Sequence, residues 1–510
     1  MIRASRNLHR LFTIARALAR HDALSIAEMP VAGFASAILR LGRPPETTGR
    51  PGQRLAEALT ELGPTFIKLG QALSTRADLV GEEMAADMSH LQDRLAPFPG
   101  AQARAIIAEQ LGQPIEAIYA SFDDEPVAAA SIAQVHFAVT TEGREVAVKV
   151  LRPGVEAAFK RDIDLLTWLA EWAELTQPQW RRLKLIESVR TFADSVALEM
   201  DLRFEAAAAA EMGDNFAGDE SFRIPAVDWL RTAKRVLTLE RVSGIPVDER
   251  EALIAAGLDI DAVLQKAAEA FFNMVFRDGF FHADMHPGNL FVDATGNLVA
   301  VDFGIVGRVD LRTRKFLGEM LLGFLNRDFR RVAEVHFEAG FVPANKSVDA
   351  FTQASRSIAE PILGRPLHEI SVGRLLGQMF EVTEQFAMET QPQLLLLQKS
   401  MVMAEGVGRR LDPSVNMWQL ARPLIEKWMR RNLGPEAKVK ETLSSAVASL
   451  ERLPRLLAGI EHSTTMLIDG GFKLHPDTVR EITGNRDKRS LPGWLPWLLA
   501  LGLAAAVVLK

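Results

Sequence analysis

Apolar positions recur at helical spacing through the first part of the chain, most clearly in LAEALTELGPTFIKLGQALSTRADL, and no strand-like alternation interrupts them. This predicts a helical N-terminal extension over residues 1–115. Near residue 117 the texture changes. The runs IYASF, VAAASIAQVHFAV and REVAVKV read as strands, and the Thr-Glu-Gly break between the last two predicts a hairpin that leaves Lys149 near a strand end. Helical spacing returns over 155–215, RIPAVDWL and RVLTLERVSGIPV within 223–247 return to extended character, and a long helix is predicted at about 259–278. A loop, GFFHADMHPGNLFV, then leads through a turn at Asp293 to Asn297 into the strand LVAVDFG, and everything beyond 310 is helix-rich. The pattern divides into the extension, a small β-containing lobe with inserted helices (116–247), a helical lobe (248–430), a helical tail (431–490) and a terminal apolar segment (491–509). The fold class is α+β.

Both ends change this picture. Arg3, Arg6, His9, Arg10, Arg16, Arg20 and His21 are interleaved with Ile2, Leu8, Leu11, Phe12, Ile14 and Leu18, so the first helix is basic and amphipathic. Two readings stay open for it: a helix lying on an anionic bilayer, or an ordinary packing helix. At the other end, LPGWLPWLLALGLAAAVVL carries no charge over nineteen residues, long enough at 1.5 Å per residue to cross about 30 Å of hydrocarbon. Trp494 and Trp497 suit the headgroup boundary, and Arg486, Lys488 and Arg489 would keep the large body cytoplasmic. The expectation is a single C-terminal transmembrane anchor. A buried or re-entrant helix broken by Pro492 and Pro496 is the alternative.

Composition narrows the chemistry. With 510 residues and 48% apolar content the chain can bury a large core. The absence of cysteine removes disulfides, thiol nucleophiles, iron–sulfur clusters and thiolate zinc sites. A net charge of −6 offers no surplus to displace counterions from nucleic acid, so no nucleic-acid partner is expected.

Phosphoryl transfer asks of a protein only that it hold phosphates and metal in line and disperse charge. V-A-V-K at 146–149 matches the strand lysine that contacts nucleotide phosphates. Asp284 and Asn289 stand at the D-x-x-x-x-N interval that supplies a catalytic-loop carboxylate and a magnesium ligand, and D-F-G follows at 302–304. The helix expected over 190–212 offers Glu199, Asp201 and Glu205 as partners for the lysine, with 201 and 205 on one face. Each fragment alone is weak; their order and strand–loop context are specific.

With L-G-P-T-F-I-K-L-G-Q (62–71), A-A-A-S-I-A-Q-V-H (128–136), L-E-M-D-L-R-F-E-A and H-A-D-M-H-P-G-N (282–289), these segments resemble the UbiB family of atypical kinases associated with ubiquinone biosynthesis. The resemblance implies an atypical protein-kinase-like fold with a small β-containing lobe and a helical lobe. It implies a KxGQ motif at Lys68, Gly70 and Gln71 that gates the site, and an ExD pair at Glu199 and Asp201 that Lys68 approaches. It places Ala128, Ala129, Ala130, Ser131, Ile132, Ala133, Gln134, Val135 and His136 over ATP or ADP, with Glu240 to Val242 as the linker beside the base. Lys149, held by Glu205, would meet the phosphates; Asn289 and Asp302 would bind Mg2+; Asp284 would orient the attacking group. Membrane lipids, prenylated quinone precursors and other ubiquinone-biosynthesis proteins are the implied partners, at the bacterial inner membrane.

Two departures matter. The loop over the phosphates has no glycine, Ala133 stands where the family commonly has glycine, and Ala208 stands where many members have asparagine. Ala283 replaces the arginine of H-R-D and no A-P-E follows, which favours ATP hydrolysis or a small or lipid-like acceptor over protein phosphorylation. Among rivals, a metal hydrolase on His282, Asp284 and His286 lacks the H-E-x-x-H pattern, so an orienting or capping role is favoured for the histidines. A monooxygenase has no flavin, nucleotide or haem fingerprint. Small-molecule kinases of the aminoglycoside or choline type share H-x-D but not the KxGQ-like segment, and a nucleotide-binding pseudokinase scaffold stays open.

Overall fold

The computed structural model describes residues 2–23, 49–74, 80–89, 91, 95–176, 184–219, 221–361, 378, 381–383, 385–388, 392–415 and 417–433. The extension is helical where its spacing predicts: α1 (Ile2–Arg20), α2 (Pro51–Leu62), α3 (Pro64–Ser74) and α4 (Glu82–Ser89). Pro51 and Pro64 begin their helices, where a missing N–H removes no helical bond. Leu59, Leu62, Phe66, Met88 and Leu91 form one buried cluster that includes Ala17 of α1. Arg10 of α1 donates to Asp162 at 2.8 Å and to the Leu62 carbonyl. These contacts support the packing alternative for the first helix, although Phe12 remains exposed. Gly70 has a steric reason: a Cβ there would lie 2.4 Å from Leu91 and 2.8 Å from Leu59.

After α5 (Gly100–Leu111) and α6 (Ile115–Ile118), the predicted hairpin forms. Strands β1 (Tyr119–Phe122), β2 (Ala128–Ala129), β3 (Ala133–Thr140), β4 (Glu145–Leu151) and β6 (Val236–Glu240) make an antiparallel sheet in the order β1-β3-β4-β6, with β2 on β3. Side chains alternate between its faces. Ala138, Val146, Val148, Val150 and Val236 pack on Phe98, Ile106, Ile107 and Ile115. The other face carries Lys149, opposite Val135 on one side and Leu237 on the other.

Helices α7 (Val155–Thr176), α8 (Leu185–Glu199) and α9 (Leu202–Asn215) occupy the predicted helical stretch. The single helix expected over 190–212 is in fact two. Met200 ends α8 and Asp201, in extended backbone, caps α9 by accepting from the Arg203 N–H. The extended segments of 223–247 also divide: β6 joins the first sheet, whereas β5 (Phe222–Arg223) and β7 (Ile245–Pro246) join β9 (Leu290–Val292) and β10 (Leu298–Ala300) in the order β5-β10-β9-β7. Phe222 is buried among Leu290, Leu298 and Phe276, which draws its strand to the second core.

Helices α10 (Arg250–Ala255) and α11 (Ile260–Phe272) lead to a pair of short strands, β8 (Phe280–His282) and β11 (Val306–Arg308). Beyond 310 come α12 (Leu311–Leu325), α13 (Phe329–Glu338), α14 (Val348–Ala359), α15 (Pro392–Leu411) and α16 (Met417–Leu433). One cluster containing Phe281, Phe303, Leu397, Val407 and Leu411 joins α15 to the loop-bearing strands. The transmembrane segment expected at 491–509, with its flanking charges, lies outside the described residues. Among those described, no helix is long and apolar enough to cross a membrane.

Candidate active site

Strand parity places Lys149 on the face opposite the α5 core. Its Nζ donates to Glu205 Oε1 and Oε2 at 2.8 and 3.0 Å and lies 3.1 Å from Asp302 Oδ2. Glu205 comes from the first turn of α9, so the cap at Asp201 sets where it points. Asp302 follows β10 with φ +61, a left-handed conformation, and its Oδ1 accepts from the Gly304 N–H. Desolvation opposes the Lys149 charge, but Asp302 and Glu205 outweigh it and raise its pKa. Burial pushes the Glu205 carboxyl up, with Lys149 opposing and Asp302 adding to the rise. Burial works against the Asp302 charge as well, yet Lys149, aided by Lys68, holds that carboxyl down at about 2.

The loop carrying Asp284 and Asn289 is fixed by bonds to the backbone. His282 is buried, and its Nδ1 accepts the Asp284 N–H at 3.1 Å. That acceptor role leaves the proton on Nε2, which donates to the Val301 carbonyl at 3.2 Å. Burial lowers the His282 pKa, in keeping with a neutral ring. Asn289 Nδ2 donates to the Asp284 carbonyl at 3.0 Å and approaches Oδ2 at 3.4 Å. The Val301 N–H donates to the Asn289 carbonyl at 2.9 Å, tying the loop to the residue before Asp302. His286 Nδ1 accepts from Gly288 and caps the following turn. Both histidines are thus occupied in orienting and capping, as the pattern favoured. The Asn289 side-chain amide oxygen and the Asp302 carboxylate are hard oxygen donors of the kind magnesium takes, beside a lysine suited to phosphate.

Lys68 of α3 pairs with Glu199 at 2.8 Å, with both side chains largely buried. Asp201, expected beside Glu199 in this contact, instead holds Arg203 through both backbone and guanidinium, because it is a cap and not a helix-face residue. Gly70 serves close packing in the extension. Gln71 is half-buried, and its carbonyl accepts from Ser74.

Residues 128–136 do not act as one loop. Ala128 and Ala129 pair with Val135 and Gln134, and the Ala130 N–H donates to the Ala133 carbonyl at 2.8 Å, closing the turn. No residue of this stretch takes a positive φ, so the turn forms without glycine. Ser131, Ile132 and Ala133 are buried, the last two against Leu151 and Leu237. Alternation turns the Gln134 and His136 side chains to the face opposite Lys149. Gln134 clamps Phe98 by accepting from its N–H at 3.0 Å and donating to its carbonyl at 3.1 Å. His136 Nδ1 lies 2.7 Å from the Asp123 carbonyl, and its ring stacks on Phe122. Of the pair Val135 and Lys149, both face the cleft. The Glu240 carboxylate is engaged by Arg223 and the Ala226 N–H at the end of β6, with Val242 half-buried two residues on.

Two contributors were missed. Arg152 donates to the Ala130, Ala96 and Leu95 carbonyls and lies over the Phe98 ring, bracing the alanine turn. Lys399 of α15 lies 3.2 Å from Asp284 Oδ1. Its one available signal is that it is the lone charge in QLLLLQKSMVMA.

Residues 90–336 match the ABC1 atypical kinase-like domain, and residues 355–416 match the UbiB helical domain. The chain is 41% identical over 463 residues to "Probable protein kinase UbiB" of Marinobacter nauticus, covering 90% of this chain and 84% of that one. It is 43% identical over 407 residues to the protein of the same name from Azotobacter vinelandii, covering 79% and 75%. Among solved structures, the Mycobacterium tuberculosis Rv3197–erythromycin complex aligns with a TM-score of 0.48 at 24% identity, over 78% of this chain and 98% of that one.

Proposed function

This chain belongs to the UbiB family of ABC1-type atypical kinases, and from that premise we propose that it binds magnesium-ATP and supports ubiquinone biosynthesis at a membrane. The reaction we favour is ATP hydrolysis coupled to handling prenylated quinone precursors. The observation that carries the reading is the convergence of Lys149, Glu205 and Asp302 from three separate elements.

Lys149, oriented by Glu205, meets the phosphates, and the turn at 128–133 with Val135 covers them. The Glu240 to Val242 stretch meets the base through its backbone, because the Glu240 carboxylate is committed to Arg223. Asn289 and Asp302 would hold magnesium, which when bound supplies charge neutralisation across the phosphate oxygens. Asp284, fixed through His282 and Asn289, orients water or a substrate hydroxyl and accepts its proton. The Lys68–Glu199 pair brings the extension against this side of the cleft, which favours water or a small acceptor over a protein chain. The segment 491–509 anchors the body on the cytoplasmic side of the bacterial inner membrane, close to water-insoluble precursors and neighbouring biosynthetic proteins.

The test is magnesium-dependent phosphate release by detergent-purified protein, wild type against Asp302→Asn, with and without anionic liposomes and quinone-like phenols. The expected result is activity that rises with liposomes and is lost in the variant. Nucleotide binding without phosphate release under any condition would move the scaffold reading ahead, and label transfer to an added protein or lipid would redirect the reading to that acceptor.

A further inference from the structure

The catalytic loop itself contains no lysine or arginine between Phe280 and Asp302, and Ala283 occupies the position before the aspartate. If Asp284 works beside a transferring phosphoryl group, its carboxylate faces a second anion at close range with no cation supplied by its own loop. The structure supplies one from elsewhere. Lys399 Nζ lies 3.2 Å from Asp284 Oδ1, while Asn289 approaches Oδ2, so the two carboxylate oxygens are shared between two donors.

The helix that brings this lysine is not a loosely attached arm. Leu397, Val407 and Leu411 of α15 are buried in the same cluster as Phe303, and Ser400 donates to the Leu396 carbonyl beside them. Lys399 therefore stands on a rigid element packed against the residue that follows Asp302. Lys399 and Asp284 are each 31% exposed, so the pair lies open to a ligand.

We infer that Lys399 is a further positioning residue of the phosphoryl-transfer site, acting through Asp284 as its counter-charge and orienter. This rests on the reading of Asp284 given above. In the transfer step the attacking O–H gives its proton to Asp284, its oxygen bonds to the γ-phosphorus, and the bond to the ADP oxygen breaks with ADP leaving. Lys399 gives up no proton. It keeps the carboxylate aimed and offsets its repulsion of the phosphoryl group.

The experiment compares wild type, Lys399→Ala, Lys399→Arg, Asp284→Asn and the double variant Lys399→Ala/Asp284→Asn in full-length, detergent-purified protein. ATP turnover is measured beside binding of magnesium-ADP alone and with aluminium fluoride as a mimic of the transferring group. Lys399→Ala is expected to lower kcat by about 10- to 100-fold with KM nearly unchanged. It should also weaken the aluminium fluoride complex about tenfold while leaving ADP affinity within about twofold, and Lys399→Arg should restore most of both. Neutralising the partner should rescue binding: the double variant should regain the aluminium fluoride complex that Lys399→Ala loses, yet turn over no faster than Asp284→Asn. A role confined to folding would produce neither the split between ADP and its complex nor the rescue. Lys399→Ala with wild-type kcat and wild-type aluminium fluoride affinity overturns the inference while Asp284 still matters. Wild-type turnover in Asp284→Asn overturns the Asp284 reading and the inference with it.

Discussion

Two lysines meet aspartates in this cleft, and their surroundings set them apart. Lys149 is 13% exposed and lies between Glu205, only 7% exposed, and Asp302, whose side chain is 44% exposed at the mouth of the site. Lys399 and Asp284 are each 31% exposed and share a single contact. A buried ion pair gains little from being formed but costs much to break, because the abandoned partner stays buried and charged. A solvated pair contributes little to stability either way. The buried part of the first cluster is the Lys149–Glu205 pair, which bears on stability, whereas the half-exposed Lys399–Asp284 pair bears on it little. Lys68 with Glu199, at 11% and 16% exposure, falls between them.

Removing each lysine should reproduce that ranking. Lys149→Ala leaves Glu205 and Asp302 facing each other and is expected to cost about 3–5 kcal/mol in chemical denaturation, together with loss of nucleotide binding. A cost below about 1 kcal/mol would break the comparison. Lys68→Ala should cost about 1–3 kcal/mol, since Glu199 loses its partner at a less deeply buried site. The Asp302 carboxyl is depressed from 3.8 to about 2 in the folded chain. A depressed carboxyl contributes stability above its unfolded pKa and loses it as pH falls through the folded value. Denaturation midpoints of wild type should therefore drop more steeply than those of Asp302→Asn between pH 3.8 and about 2, and equal slopes would show that Lys149 does not hold Asp302. Lys399→Ala should change stability least, by about 0–1 kcal/mol and less at high salt, because a half-exposed pair is still reached by solvent and screened. A larger loss would mean that α15 depends on the pair for its packing.

Much of the first region was legible in the sequence because it is built from short-range rules. Period-two alternation through VHFAV and VAVKV fixes which face Lys149 takes, and the spacing from Asp284 to Asn289 and on to D-F-G survives as linear distance. Spacing alone leaves Glu199, Asp201 and Glu205 open as partners for Lys149; the family resemblance selects Glu205, which stands one helix turn past its cap. The same alternation turns the Gln134 and His136 side chains to the face opposite Lys149, because 133–136 is strand and not loop. Neither glycine nor proline interrupts 190–212, so spacing alone puts Asp201 on a helix face, although an aspartate ahead of a helical run is itself a cap signal. The division of 222–246 between two sheets, and the approach of Lys399 to Asp284 across 115 residues of sequence, depend on tertiary packing that no local period encodes.

The turn that closes from Ala130 to Ala133 has a calorimetric consequence. A glycine loop samples many backbone states when empty and must give them up to hold a phosphate, at about 0.5–1 kcal/mol per residue. Here the turn is already hydrogen-bonded, roofed by Arg152, and built from residues with few alternatives. Nucleotide association should carry a correspondingly smaller entropic penalty. Glycine substitution at Ala130 should reveal it as a less favourable entropy of binding in titration calorimetry, even if the free energy shifts only slightly.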